Sequence, residues 1–197
     1  MNNLKFLMLS WDDIQNLSEK VAKKVKDSGF KVDVIVAISR GGFDPARIIS
    51  DQLGVRNLAS LQIVYYDGLN ERRMIPEIQY PLNADVRGLR TLVVDDVADS
   101  GNSLKVVKEY VRGQGATDVK IATLHLKPWS DFHPDYYADT VDAWIIYPWE
   151  LKESLLDLVE KLTKDGLTRP TIVARLNEIG FTSEQILRYS DLLTEDI

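Results

Sequence analysis

The stretch LVVDDVADSGNSL, residues 92–104, decides the fold class of this chain and most of its candidate chemistry. Its apolar, β-branched start, residues 92–94, predicts a buried strand. Two adjacent carboxylates follow, Asp95 and Asp96, and a third, Asp99, comes three residues later. A run of small polar residues then leads into an amphipathic pattern. The stretch therefore predicts a strand, an acidic turn and the start of a helix.

This acidic turn combines groups that suit a sugar phosphate. Backbone N–H groups at a helix start have no partner inside the helix and bind phosphate at the positive end of the dipole. Gly101 has no Cβ to keep a ligand away from the backbone. The adjacent Asp95 and Asp96 would repel phosphate, but they can accept hydrogen bonds from the two hydroxyls of a ribose. A simpler interpretation is an acidic surface turn in which Asp99 or Ser100 caps the helix, but capping needs only one such residue.

Composition and charge limit the class of protein. The 197 residues, 45% of them hydrophobic, are enough to bury the core of one domain, with or without a small appendage. No apolar run approaches the roughly 20 residues of a membrane-spanning helix, and the apolar N-terminus lacks a basic leader and a cleavage site. The chain has no cysteine for disulfides or thiolate metal sites, so the expected location is the cytoplasm. A net charge of −6 argues against a general nucleic-acid binder.

Strand and helix patterns alternate along the chain, which predicts an α/β fold with a mostly parallel sheet and helices on both faces. We expect one domain over residues 1–165, followed at 166–197 by a helical hairpin that packs on the core or at an interface. The predicted helices are Ser10 to Gly29, Asp44 to Gly54, 102–112, 150–164, Arg169 to Gly180 and one that starts at a Thr182–Gln185 capping box; the predicted strands are 32–38, 58–66, 91–94, 118–124 and 143–147, and 67–88 is an aperiodic loop.

A second polar turn follows the predicted strand 32–38. It places the guanidinium of Arg40 and the backbone amides of Gly41 and Gly42 where an anion can bind. The simpler interpretation is a strand-to-helix turn that needs its glycines only for geometry. Because ligands of such sheets bind at the carboxyl ends of the strands, both turns are expected at one edge of the sheet.

The two turns together resemble the loops of the type I phosphoribosyltransferases. The resemblance implies a three-layer fold with a flexible active-site loop, here 67–88. In that family the pyrophosphate loop often holds a non-proline cis peptide, which here would be Arg40–Gly41. The resemblance also implies that pyrophosphate is bound by Ser39, Arg40, Gly41 and Gly42. It implies that the ribose phosphate is bound by Asp95, Asp96, Ala98, Asp99, Ser100, Gly101, Asn102 and Ser103.

Two further segments, ATLHLKPWS at 122–130 and DAWIIYPWE at 142–150, resemble the purine branch of the family, the hypoxanthine and xanthine–guanine enzymes. The resemblance implies that Lys127 hydrogen-bonds the 6-oxygen of the base. It also implies that Trp144 stacks on the base and that the main chain of Ile145 reads its 2-position. Taken singly, a tryptophan at a strand start is more often a core residue, and a Lys-Pro pair is usually a solvated corner.

The resemblance implies a Mg²⁺-dependent transfer of the 5-phosphoribosyl group from phosphoribosyl pyrophosphate to a 6-oxopurine in purine salvage. Asp99 would be the general base for the purine imidazole. Lys127 would disfavour a 6-amino group, since ammonium and amino groups are both donors. Mg²⁺ favours phosphate oxygens, waters and few carboxylates, so Asp95 and Asp96, with Glu150 at a second site, are the expected metal ligands. The family is usually a homodimer or homotetramer and needs no nucleic-acid or membrane partner.

Two alternatives use the same fold. A phosphoribosyltransferase for adenine or orotate is disfavoured by Lys127, Trp144 and the segment that ends at Glu150. A regulator that senses the sugar pyrophosphate and binds nucleic acid is disfavoured by the net negative charge. The hairpin at 166–197, whose role the sequence does not explain, keeps that second alternative open.

Four side chains that carry chemistry elsewhere are interpreted as structural. Tyr65 and Tyr66 precede the predicted loop and are taken as strand and packing residues. His125 and His133 have no metal-ligand partner at helical or hairpin spacing. None of the four is therefore assigned to the candidate site.

Overall fold

The computed structural model describes residues 5–67 and 74–190. The predicted helices and strands are present, with ends that differ from the predicted ones by a few residues at most sites. In chain order the elements are β1 (Phe6–Met8), α1 (Trp11–Asp27), β2 (Val34–Ser39), α2 (Phe43–Leu53), β3 (Leu58–Asp67), β4 (Met74–Tyr80), β5 (Arg90–Ala98), α3 (Asn102–Gly113), β6 (Asp118–Leu126), β7 (Tyr136–Thr140), β8 (Trp144–Ile146), α4 (Leu151–Lys164), α5 (Arg169–Ile179) and α6 (Ser183–Tyr189).

The chain divides into two compact units. The larger unit spans Asp12–Asp142 and contains the main sheet. The smaller unit joins the N-terminal residues up to Trp11 to the chain from Ala143 onward. The predicted hairpin helices, α5 and α6, belong to this smaller unit together with α4. The domain boundary at residue 165 stays a prediction.

The larger unit is built on a six-stranded sheet with the order β4-β3-β2-β5-β6-β7. Every neighbouring pair is parallel except β3 and β4. The chain runs outward from β2 through β3 to β4, and β5 then returns to the other side of β2. The strand order therefore reverses between β2 and β5, and ligands of open α/β sheets bind outside the carboxyl ends of the strands at such a point.

Both faces of this sheet are covered, as the alternating pattern predicts. Val36, Ile38 and Val93 pack into one hydrophobic cluster with the buried residues of α3. Ile35 and Leu92, which alternate with them along the strands, are fully buried as well. Because successive side chains of a strand point to opposite faces, the second face must also be covered. The predicted α/β architecture is confirmed.

The sequence pattern does not predict β1, β4 or β7, and the loop prediction for 67–88 is wrong over 74–80. There β4 pairs antiparallel with β3, Tyr65 opposite Pro76. β4 is the edge strand of the sheet, and edge strands tolerate a proline because one side of the strand needs no ladder hydrogen bonds. That proline hides the strand from a sequence-based interpretation. Residues 68–73 lie outside the described part of the chain.

The smaller unit combines a short sheet with a helical cluster. β1 and β8 pair in parallel, Phe6 opposite Trp144, and α4, α5 and α6 pack around buried leucines and isoleucines and Phe181. The capping box at the start of α6 is confirmed, since the Thr182 hydroxyl accepts the Gln185 N–H and the Gln185 side chain accepts the Thr182 N–H. In the described ranges, no helix is both long and apolar enough to cross a membrane.

Candidate active site

The turns after β2 and β5 meet where the strand order reverses. β2 and β5 are parallel neighbours, so their carboxyl ends lie side by side. Gly41 of the first turn lies against the side chain of Asp96, because a Cβ at Gly41 would stand 2.1 Å from Asp96 Oδ2. Asp95 and Asp96 lie within β5, which runs on to Ala98, so the prediction that the strand ends at residue 94 and that both carboxylates belong to a turn is wrong. The structure still brings together the two segments that the sequence places at one edge.

The loop after β2 has a cis peptide bond, one residue before the predicted position. The bond joins Ser39 and Arg40, whereas the resemblance implies Arg40–Gly41; it falls directly at the end of β2. The Gly42 N–H donates to the Ile38 carbonyl at 2.9 Å, so this amide already has a partner inside the turn. The Arg40 side chain is exposed. Anion binding by the Arg40 guanidinium and the Gly41 amide stays a prediction.

The acidic pair at the end of β5 is partly enclosed. Asp96 is buried, and Asp95 is half-buried and accepts the Asp96 N–H at 3.0 Å through Oδ1. Within residues 5–67 and 74–190, no three His, Cys, Asp or Glu side chains cluster so that they could hold a metal ion. Two carboxylates at a substrate edge suit Mg²⁺, which keeps waters and phosphate oxygens and takes one or two protein carboxylates. The pair fits an ion that arrives with a phosphorylated substrate.

Helix α3 begins at a glycine, which has no side chain to cap the helix. The N-cap residue, Gly101, has φ +81°, in the left-handed region that favours glycine. A Cβ there would also stand 2.3 Å from Phe132 Cβ. The Asn102 N–H donates to Ser100 Oγ at 3.4 Å, and the remaining N–H groups of the first turn can meet an anion.

Lys127 is joined to the acidic turn by backbone and charge. Its N–H donates to the Ala98 carbonyl at 2.9 Å, which anchors the loop after β6 to the end of β5. Burial lowers the pKa of Lys127, while the nearby carboxylates of Asp99 and Asp142 oppose the shift because they favour the ammonium form. The side chain is only 8% exposed. A cationic donor thus lies beside the candidate general base.

Trp129 is part of this arrangement, although the sequence does not assign it to the site. Its indole Nε1–H donates to Asp99 Oδ1 at 2.7 Å, and Lys127 Nζ lies 5.4 Å from the centre of its ring. The side chain is 55% exposed. An aromatic residue in a polar turn directly after Lys-Pro is the signal by which a sequence-based interpretation could find it.

Tyr65 is the second residue that the sequence does not assign. It lies in β3, yet its side chain is 41% exposed and not packed into the core. Its hydroxyl shares a hydrogen bond of 2.5 Å with Ser103 Oγ in the first turn of α3. The interpretation of Tyr65 as a packing residue is therefore incomplete.

In the smaller unit, the backbone polar groups of Ile145, a buried residue, lie on the strand edge that faces away from β1. Trp144 N–H donates to the Lys5 carbonyl at 2.8 Å, and Leu9 N–H donates to the Ile146 carbonyl at 3.0 Å. Since alternate residues of a parallel strand bond to one neighbour, the N–H and C=O of Ile145 point away from β1. That edge of β8 pairs with no strand in the described part of the chain.

Trp144 and Glu150 also lie in the smaller unit. The centre of the Trp144 ring lies 6.3 Å from the centre of the Phe6 ring. It lies 5.6 Å from Lys161 Nζ, a distance at which the ammonium is attracted to the ring face. Glu150 is the N-cap residue of α4, and its carbonyl accepts the Ser154 N–H at 2.8 Å. Base stacking by Trp144 and metal binding by Glu150 stay predictions.

Most of the chain is similar to proteins of known family. Residues 10–155 match the phosphoribosyl transferase domain. The xanthine-guanine phosphoribosyltransferase of Gluconobacter oxydans is 29% identical over 147 residues, which cover 74% of this chain and 84% of that protein. A crystal structure of a purine phosphoribosyltransferase from Pyrococcus horikoshii Ot3 is 36% identical, with a TM-score of 0.66, over 74% of this chain and 94% of that one.

A further solved structure is similar to a comparable degree. It is a hypothetical protein from Neisseria gonorrhoeae with bound ppGpp, 29% identical with a TM-score of 0.67, and the similarity covers 75% of this chain and 90% of that one. The domain match ends inside α4, so α5 and α6 lie beyond it. The matched range includes both turns at the reversal of strand order.

Proposed function

The chain belongs to the phosphoribosyl transferase family, in its purine branch, and from this premise we propose its reaction. The enzyme transfers the 5-phosphoribosyl group from phosphoribosyl pyrophosphate to a 6-oxopurine, namely hypoxanthine, guanine or xanthine. The bond between ribose C1 and the pyrophosphate oxygen breaks, and a bond between C1 and a ring nitrogen of the base forms. The products are a nucleoside monophosphate and pyrophosphate.

The observation that carries this proposal is the contact between Gly41 and Asp96 at the reversal of strand order. A sugar pyrophosphate presents a diol and a leaving group on adjacent carbons. The acidic end of β5 suits the diol, and the anion-binding turn after β2 suits the leaving group. Because these segments touch, one molecule can occupy both.

The leaving group would be stabilised by the turn after β2. As pyrophosphate departs, negative charge grows on its bridging oxygen and positive charge grows on the ribose ring. The guanidinium of Arg40 and the amide of Gly41 would donate hydrogen bonds to this negative charge. The amide of Gly42 contributes less, since it is bonded to Ile38.

The ribose and its phosphate would be held by the end of β5 and the turn that follows it. The carboxylates of Asp95 and Asp96 accept hydrogen bonds from the ribose hydroxyls. The amides at the start of α3 and the hydroxyls of Ser100 and Ser103 donate to the 5′-phosphate. This division keeps the carboxylates on the neutral part of the substrate and the donors on the charged part.

The base would be recognised by Asp99 and Lys127. Asp99 accepts the imidazole proton of the purine as the ring nitrogen attacks C1. Lys127 donates to the 6-oxygen, and the neighbouring Asp99 favours its charged form. An ammonium group has no lone pair for a 6-amino group, so adenine is disfavoured.

Mg²⁺ would be held by Asp95 and Asp96 together with oxygens of the substrate. The ion would screen the charge of the pyrophosphate group and raise its quality as a leaving group. Glu150 remains the candidate for a second ion, as the resemblance implies.

Trp144 and Ile145 are the proposed base contacts of the smaller unit. The backbone polar groups of Ile145 lie on the strand edge that faces away from β1, which supports a main-chain contact to the 2-position. The indole of Trp144 supplies an aromatic face for stacking. The relatives that carry xanthine-guanine and purine phosphoribosyltransferase names support a purine base.

The experiment is an assay of pyrophosphate release from Mg²⁺ and phosphoribosyl pyrophosphate with hypoxanthine, guanine, xanthine, adenine and orotate in parallel. Release confined to the three 6-oxopurines supports the proposal. Preferred use of adenine or orotate contradicts the assignment of Lys127. No release with any base, from protein that binds the sugar pyrophosphate by calorimetry, favours a regulator. An Asp99→Asn preparation measures the background that does not depend on the general base.

We also propose that the enzyme is a homodimer or homotetramer, since the resemblance implies it. Sedimentation velocity over a range of concentrations tests this directly. A monomer at all concentrations would contradict the proposal without affecting the reaction.

A further inference from the structure

Trp129 contacts both residues that we propose to read the base. It follows Lys127 and Pro128 in the loop after β6. Its indole Nε1–H donates to Asp99 Oδ1 at 2.7 Å, and the Lys127 ammonium lies 5.4 Å from its ring centre. More than half of the side chain, 55%, is exposed, which is unusual for a tryptophan whose task is only to fill the core.

The direction of the hydrogen bond between Trp129 and Asp99 is fixed by chemistry. Indole Nε1–H is a donor only, so it cannot take a proton from the carboxyl group. It occupies Oδ1 and leaves Oδ2 for another donor. A charge-assisted bond of this length also restricts the rotation of the carboxylate. Asp99 is thereby held in one orientation, with Oδ1 bound to the indole.

The contact with Lys127 uses the other property of the indole, its electron-rich face. A cation over a tryptophan ring is attracted by the ring quadrupole. Lys127 is largely buried, and burial lowers its pKa. A nearby aromatic face therefore helps to hold the charged form at a position where water cannot.

The two contacts match the geometry of one substrate edge. In a 6-oxopurine the 6-oxygen and the imidazole nitrogen N7 lie side by side on the same edge of the base. A protein site that recognises that edge needs a hydrogen-bond donor for the 6-oxygen and an acceptor for a proton on N7, at a fixed spacing. Lys127 and Asp99 supply these groups, and one rigid indole contacts both of them.

We propose that Trp129 is a positioning residue for base recognition: its N–H orients Asp99 for proton acceptance, and its ring face orients Lys127 toward the 6-oxygen. The inference rests on the proposed function. It assigns the two effects to two separable parts of one side chain, so they can be removed one at a time.

Trp129→Phe keeps an aromatic face and loses the N–H, whereas Trp129→Leu loses both. We expect Trp129→Phe to lower kcat with hypoxanthine by at least roughly tenfold, the factor that one hydrogen bond to a charged group supplies. Its preference for hypoxanthine over adenine and its KM for phosphoribosyl pyrophosphate stay as in the wild type. Trp129→Leu has the same loss of kcat and a lower preference for hypoxanthine. Trp11→Phe, which changes a tryptophan of equal exposure in the smaller unit, is the matched control.

Two kinetic results would overturn the inference. If Trp129→Phe has the kcat of the wild type, the indole N–H does not orient Asp99. If the Phe and Leu variants prefer hypoxanthine over adenine equally, the ring face does not orient Lys127. A fall in thermal stability with no change in kcat or preference would leave Trp129 as a structural residue only.

A second measurement separates this inference from the proposed reaction. Four tryptophans give four indole N–H signals in a ¹⁵N-labelled protein, and Trp129→Phe identifies its own signal by its loss. Asp99→Asn and Lys127→Met should each shift that signal, while Asp85→Asn, a change at an exposed ion pair with Arg87, should not. An unmoved signal in Asp99→Asn contradicts the contact, even if the wild type releases no pyrophosphate with any base.

Discussion

At the scale of single residues, the site depends on a close approach between a glycine and a carboxylate. Gly41 leaves no room for a side chain, since its Cβ would lie 2.1 Å from Asp96 Oδ2 and 2.6 Å from Asp96 Cγ. Gly41 lies in the turn after β2 and Asp96 at the end of β5, the two segments that we propose to hold the two ends of one substrate. A methyl group at this position must therefore move one segment away from the other.

Gly41→Ala is expected to raise the KM for phosphoribosyl pyrophosphate by about tenfold or more, because a misplaced binding group loses an interaction with a charged ligand. Steady-state kinetics with varied sugar pyrophosphate measures it. Gly113→Ala is the control: a Cβ added to Gly113 would meet no heavy atom within 4 Å, and the residue lies at the end of a helix. Equal KM values for the two variants would show that the loops do not form one subsite.

Asp99→Asn is expected to lower kcat by about a hundredfold, the usual contribution of a positioned general base. The amide keeps the shape of the carboxylate and still accepts the Trp129 N–H, so the loop should stay in place. Calorimetry should show unchanged binding of phosphoribosyl pyrophosphate. Full activity on purines would mean that another group accepts the proton.

At the scale of the elements, the strands at the centre of the sheet were predictable and those at its edges were not. β2 and β5 are short apolar runs bounded by polar turns, a pattern typical of strands buried on both faces. β4 and β7 lie at the two edges, where a strand can carry prolines and charges that hide it. The position of Trp129 after Lys-Pro could have marked it as a candidate, but its bond to Asp99 and the bond of Tyr65 to Ser103 could not be predicted, because they depend on which strand ends become neighbours.

Tyr65 links β3 to the phosphate end of α3, and Tyr65→Phe tests that link. Loss of its hydroxyl bond to Ser103 is expected to raise the KM for phosphoribosyl pyrophosphate about threefold to tenfold, as for one neutral hydrogen bond, with kcat retained. Kinetic measurements on Tyr80→Phe, an exposed tyrosine of the neighbouring strand β4, provide the comparison. If both variants behave alike, Ser103 does not need its partner.

At the scale of the whole molecule, the larger unit carries a buried ionisable group on β6. His125 is 1% exposed, and burial lowers its pKa from 6.5 to about 4, with Asp139 opposing the shift and the Lys127 and Lys20 charges adding to it. The folded protein therefore keeps this ring neutral. The unfolded chain binds a proton near pH 6.5, so stability is lost as pH falls from 6.5 toward 4.

The resulting prediction concerns His125→Gln. Between pH 7 and pH 5 the wild type should lose about 2 kcal/mol of unfolding free energy through this ring, and the variant should not. Urea unfolding at the two pH values measures the difference. Asp33 and Asp85, whose pKa values are lowered to about 2 by arginine partners, lose their contributions only below pH 4. Parallel pH curves for wild type and variant would contradict the prediction.

The return of β5 to the side of β2 also bears on how the chain folds. β2 and β3 are close in sequence and can pair early, but β2 and β5 are separated by α2, β3 and β4. Contacts between distant segments form late, because the intervening chain must first lose its freedom. Both substrate loops depend on that late pairing. A partly folded chain therefore has no binding site, and recovery of substrate binding during refolding would mark completion of the central sheet.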